Sequence, residues 1–85
     1  MHKSVSGVSV YPNPAGDYFT FNINGEGNTG DHLYVEDAVG KIVLSTHLHS
    51  PSTIISTAQL VSGYYVYKFY SENALMVTGK LVIIK

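Results

Sequence analysis

The residues able to do chemistry are few and scattered. His47 and His49 stand two apart, so an extended backbone puts both imidazoles on one face, a spacing that can chelate a metal ion. No third ligand lies nearby in sequence, His2 and His32 being unassigned, and the pair reads as polar decoration of a loop edge. Glu26, Asn28 and Asp31 form an oxygen-rich stretch that could hold calcium. It lacks the Asp-x-Asp-x-Asp-Gly order of an EF-hand and reads as an ordinary turn. Ser and His occur without the Gly-x-Ser-x-Gly of a nucleophile elbow. The carboxylates of Asp17, Glu26, Asp31, Glu36, Asp37 and Glu72 fall mostly at strand ends and turns, and none pairs as in a glycosidase. With no cysteine, a disulfide framework, a thiolate zinc site and a cysteine nucleophile are all excluded. These residues predict no enzyme and no cofactor. The seven tyrosines leave sugar stacking as a second chemistry.

The elements that would position these residues are strands. Val8 and Val10 alternate with Ser9, and Phe19, Phe21 and Ile23 alternate with Tyr18, Thr20 and Asn22, the period of half-buried strands. Pro12 and Pro14 between them forbid a helix. Residues 25–31 are a dense turn signal, and Leu33-Tyr34-Val35 resumes a strand. Asp37-Ala38-Val39-Gly40 reads as a tight turn with Gly40 at positive φ, and its hairpin partner Lys41–Thr46 is expected to put Ile42 and Leu44 on one face. After the Ser50-Pro51-Ser52 break comes a short strand at Thr53-Ile54-Ile55. Next is a possible helical turn at residues 56–60 capped by Ser56, which Gly63, also expected at positive φ, ends.

Two strands follow. Lys68 assigns one face of Tyr64–Tyr70 to water, so Tyr65, Tyr67 and Phe69 point inward. Leu60, Gly63 and Tyr65 resemble a tyrosine corner, in which the hydroxyl bonds back to the upstream backbone. Lys80 likewise places Val77, Leu81 and Ile83 inside and leaves Met76, Val82 and Ile84 as an outward apolar stripe. Seven short strands with regular turn signals predict an all-β fold, a seven-stranded antiparallel immunoglobulin-like β-sandwich.

The chain has 85 residues, so one domain, 1–85, is expected, with residues 1–7 as a flexible linker or remnant. So small a domain leaves little room for a deep cleft. Five Lys/Arg against six Asp/Glu give a formal charge of −1, with no basic stripe for nucleic acid. No apolar run approaches the ~20 residues of a membrane-spanning helix. The polar opening Met1-His2-Lys3-Ser4 is no signal peptide; for an exported protein, a leader would lie upstream.

Four segments in order resemble the type A C-terminal sorting domains of type IX secretion, the Por secretion system family. They are Tyr11-Pro12-Asn13-Pro14-Ala15; Leu33–Asp37 followed by Gly40-Lys41-Ile42-Val43; Leu60 with Gly63-Tyr64-Tyr65-Val66; and Gly79-Lys80-Leu81-Val82 near Lys85. Val61-Ser62 stands where the family often has Pro or Ala before the glycine, and the 25–31 loop is long. The resemblance implies a signal that sends a larger secreted protein across the outer membrane to the cell surface or medium. It implies passage through the periplasm and recognition by translocon and shuttle proteins. A sortase-like surface peptidase would then remove the domain from its upstream cargo.

Tyr11, Pro12, Asn13, Pro14, Gly40, Lys41, Gly63, Tyr65, Gly79, Lys80, Val82, Ile84 and Lys85 are the candidate recognition residues. The last strand is expected to recruit a partner through an open edge. For Lys80 and Lys85, a solvated charge that guards that edge is an equal expectation. The alternatives are a carbohydrate-binding or adhesive sandwich, with Tyr64, Tyr70 and Tyr34 as an exposed coplanar row, and an inert spacer.

Overall fold

The computed structural model describes residues 5–25 and 31–85. Glu26, Asn28 and His2 lie outside them, and with them the calcium question. Seven strands run in chain order: β1 (Val5–Tyr11), β2 (Tyr18–Gly25), β3 (Asp31–Glu36), β4 (Ile42–Leu48), β5 (Ser52–Ser56), β6 (Gly63–Ser71) and β7 (Ala74–Ile83). Val5–Gly7, expected in a linker, belong to β1. Among the described residues there is no helix.

The strands form two antiparallel sheets packed as a sandwich. One has the order β1-β2-β5, the other β4-β3-β6-β7. The immunoglobulin-like crossovers are visible in the order: β2 reaches across to pair with β5, and β3 with β6.

Alternation delivers the core as read. Phe19, Phe21, Leu33, Val35, Phe69 and Leu81 are fully buried, and Ile23, Tyr65 and Ile83 nearly so. Phe21 reaches across the sandwich to Phe69, ring centroids 5.4 Å apart, and meets Tyr67 edge-on at 5.8 Å. Such aromatic pairs add about 0.5–1.5 kcal/mol each beyond the area they bury.

Two bulges shift faces that simple alternation mis-assigns. Val35 pairs with Leu44 but Glu36 pairs with Ile42, so Val43 is an extra residue in β4. The bulge leaves Leu44 against the core and turns Ile42 outward, 52% exposed; the two do not share a face. In β7 the register slips between Phe69 and Tyr70, making Met76 the extra residue. The last strand therefore starts at Ala74, two residues early, from a two-residue turn with Glu72 and Asn73 both at positive φ.

Residues 56–60 make a turn, not a helix: Leu60 N–H donates to Thr57 C=O, while Ser56 Oγ accepts from Ala58 N–H. Gly40 holds the expected positive φ of 89°. Gly63 does not, because it is the extended first residue of β6, opposite Ile83.

Candidate recognition surface

The four resembling segments, far apart in sequence, converge at one end of the sandwich. The register places them there: Glu36 lies opposite Val66, Val66 opposite Lys80, and Gly63 opposite Ile83. The β1–β2 connection closes the group.

Asn13 does the closing. Pro12 and Pro14 on either side lack N–H groups, so this stretch cannot pair as a strand. Both X-Pro bonds are cis. The Asn13 side chain substitutes for a backbone: Nδ2 donates to Lys80 C=O at 2.9 Å, and Oδ1 accepts from Val82 N–H at 3.0 Å. Ala15, buried, then takes over as a one-residue parallel bridge. Its N–H donates to Val82 C=O at 2.7 Å and its C=O accepts from Ile84 N–H at 2.8 Å. The outer edge of β7 is therefore occupied over Lys80–Ile84. The expectation of an open edge fails there, because a side-chain amide and one bridge satisfy its backbone groups.

The network continues inward. Thr57, fully buried, donates its hydroxyl to Gly16 C=O and its N–H to Asp17 C=O, stitching the β1–β2 connection to the 57–60 turn. Lys85 caps that turn: Nζ donates to the carbonyls of Thr57 and Leu60 at 2.5 and 2.6 Å, and its N–H donates to Ser62 Oγ. Lys85 is thus a structural cap, although the residue itself stays exposed. Tyr65 makes the expected corner, its hydroxyl donating to Val61 C=O at 2.7 Å, four residues upstream. Being buried, Tyr65 serves the fold and offers almost no contact surface.

The remaining candidates divide by exposure. Tyr11, Pro12, Asn13 and Pro14 are exposed, as are Gly40, Lys41, Lys80 and Ile84; Val82 and Gly63 are half-buried. Asp37 builds the turn that presents Gly40 and Lys41, its Oδ1 accepting from both Val39 N–H and Lys41 N–H. Gly79 is demanded by packing, since a Cβ there would overlap the ring of Tyr67 across the strand pair. Lys80 holds its ammonium 6.0 Å from the centre of the exposed Tyr64 ring.

A scan against family models matches residues 9–85 to the secretion system C-terminal sorting domain. The chain belongs to that family. It is a C-terminal sorting signal for type IX secretion. A protein bearing this sorting domain is therefore a secreted one, bound for the cell surface or the extracellular space, and the domain interacts with the secretion machinery. No match is found among the curated proteins.

The sorting domain's second chemical cluster lies at the other end of the same sheet. Directly opposite His47 stands His32, ring centroids 4.6 Å apart, and His47 stacks on His49 at 5.8 Å. Among the described residues, no three His or carboxylate groups converge to hold a metal. His32 Nε2 shares a hydrogen bond with Ser45 Oγ at 2.7 Å, but no carboxylate bonds the ring among the described residues. Burial, and then the charge of His47, lower the pKa of His32 below its usual 6.5. Tyr34 and Tyr70 meet perpendicularly at 86°, so the coplanar row that sugar stacking needs is not formed.

Sequence reading missed Asn13 as a strand substitute, Thr57, the Lys85 cap and the His32–His47 pairing. A lone Asn between two prolines was the available signal for the first; the others depend on register.

Proposed function

We propose that the domain is read in the periplasm, already folded, by translocon and shuttle proteins of the type IX system. On this reading the exposed part of the motif end is the recognition surface: Tyr11–Pro14, Gly40-Lys41 and Lys80 with Val82 and Ile84. The domain itself does no chemistry, and a sortase-like surface peptidase removes it from the cargo upstream. The convergence of the four family segments through the Asn13, Ala15, Thr57 and Lys85 bonds carries the reading. A signal must present a fixed shape, and these bonds fix one.

The test is a pair of exposed substitutions, Tyr11→Ser and Lys41→Glu, in a fluorescent reporter carrying the domain behind a secretory leader. Neither side chain is in the core, so melting should stay close to that of the parent. Export is expected to fall while folding persists. Unchanged export of the double variant would place recognition elsewhere.

A further inference from the structure

Two imidazoles chelate one ion only where the ion can lie in both ring planes, because each nitrogen lone pair lies in the plane of its ring. That condition separates the histidine pairs of this face. His47 and His49, two apart in sequence, are nearly parallel: their planes differ by 17° and their centroids lie 5.8 Å apart. Their lone pairs run side by side and do not converge. His32 and His47, opposite each other in the β3–β4 register, meet at 82° with centroids 4.6 Å apart. Their planes cross.

The spacing also selects a coordination geometry. With a metal–nitrogen bond of about 2.1 Å, the ion lies about 3.2 Å from each ring centre. Two rings at a right angle around it then have centres about 4.5 Å apart, and two at a tetrahedral angle about 5.2 Å. The 4.6 Å between His32 and His47 fits the right angle. Imidazole ligands at right angles suit the square-planar or tetragonal preference of copper(II) over the tetrahedral one of zinc.

The surroundings suit ligation as well. Ser45 Oγ lies 2.7 Å from His32 Nε2. With the Nε2 proton donated to that hydroxyl, Nδ1 keeps the lone pair, the arrangement that fixes the tautomer of a ligating histidine. His32 is half-buried and packs on the Tyr34 ring at 4.5 Å, which holds its orientation. His47 is exposed, and the broad χ2 well of histidine lets its ring aim a nitrogen at the ion. Both rings line a shallow concavity of about 600 Å³, which leaves the remaining coordination positions to water. Among the described residues no third histidine or carboxylate converges on the pair.

We propose that His32 and His47 form an open, two-histidine site for a copper(II) ion, which clips β3 to β4 on the outer face of the four-stranded sheet.

The test uses the 85-residue chain carrying His2→Ala, which removes a histidine beside the N-terminal amine, a competing copper site. Copper(II) is titrated at neutral pH in a non-coordinating buffer, by calorimetry and by thermal melting. One ion per chain is expected. Melting should rise with copper, because the folded register is what brings the two rings together. Zinc should bind more weakly than copper. Relative to that parent, His32→Gln and His47→Gln should each weaken copper binding more than about tenfold and abolish the rise in melting, and Ser45→Ala should weaken binding about tenfold. His49→Gln should change neither. His47 is exposed, so its variant carries the test even if His32→Gln alters folding.

No saturable copper binding by the parent, or binding unchanged in His47→Gln, would overturn the site. A loss in His49→Gln as large as that in His47→Gln would assign the ion to the pair adjacent in sequence, against the crossing-plane argument. Tighter binding of zinc would overturn the choice of copper. One ion per two chains would make the ion a bridge between copies and overturn the open site.

Discussion

The two ends of the four-stranded sheet are held together in different ways. At the motif end, long-range bonds from side chain to backbone dominate: Asn13 to β7, Thr57 to Gly16, Lys85 to the 57–60 turn and Tyr65 to Val61. At the other end, the Glu72-Asn73 turn is local, and among the described residues the ring contacts of His32 and His47 are with close neighbours on or beside β3 and β4. A buried pair there, Ser71 Oγ donating to Asp31, is long-range. The motif end therefore depends on residues distant in sequence and fails as a unit. At the histidine end the exposed ring of His47 lies outside the core, so change there should cost less.

Deleting Lys80–Lys85 should have the largest effect. It removes Leu81 and Ile83, both buried, together with the Lys85 cap. Each core residue lost costs about 2–5 kcal/mol, against a total stability of about 5–15 kcal/mol. Loss of the cooperative melt by circular dichroism is expected. Such a truncation therefore cannot separate recognition from folding, which is why the export tests use surface substitutions.

Next comes Tyr65→Phe, which leaves the partly buried Val61 carbonyl without its donor. A loss of about 1–3 kcal/mol is expected in urea unfolding, with m unchanged. Asn13→Ala removes both bonds to β7 at an exposed site and should cost about 1–2 kcal/mol. Asn13→Asp keeps the acceptor for Val82 N–H but loses the donor to Lys80, so its loss should be smaller. Equal losses in the two variants would mean that the amide does not act as a two-sided strand substitute.

The smallest effect belongs to the histidine end. The pKa of His32 is lower folded than unfolded, so the unfolded chain takes up its proton first. Stability is then full above about pH 6.5 and declines as pH falls below that value toward the folded pKa. His32→Asn should flatten this slope. A slope unchanged in the variant would assign it to other groups.

Alternation made the core legible because a sheet residue's face follows its parity. Phe19, Phe21, Leu33, Val35, Phe69 and Leu81 all obey it. Parity fails wherever one residue is inserted. Val43 and Met76 are such insertions, and nothing in Lys41–Thr46 or Ala74–Val77 marks them, which is why Ile42 and Leu44 do not share the one face that parity gives them. The tyrosine corner was legible because it is nearly local. The covering of β7 was not, since Asn13 and Val82 are 69 residues apart and only the folded topology brings them together. His32 and His47 likewise become neighbours only through the β3–β4 register. The sorting family could be recognised because its segments keep their order along the chain; their meeting at one end required the structure.

The most direct measurement places residues 1–85 behind a secretory leader and a fluorescent protein, in a type IX-competent bacterium and in a translocon-deficient one. A sorting signal predicts fluorescence at the surface or in the medium of the competent strain only. Fluorescence held in the periplasm of both strains would contradict it.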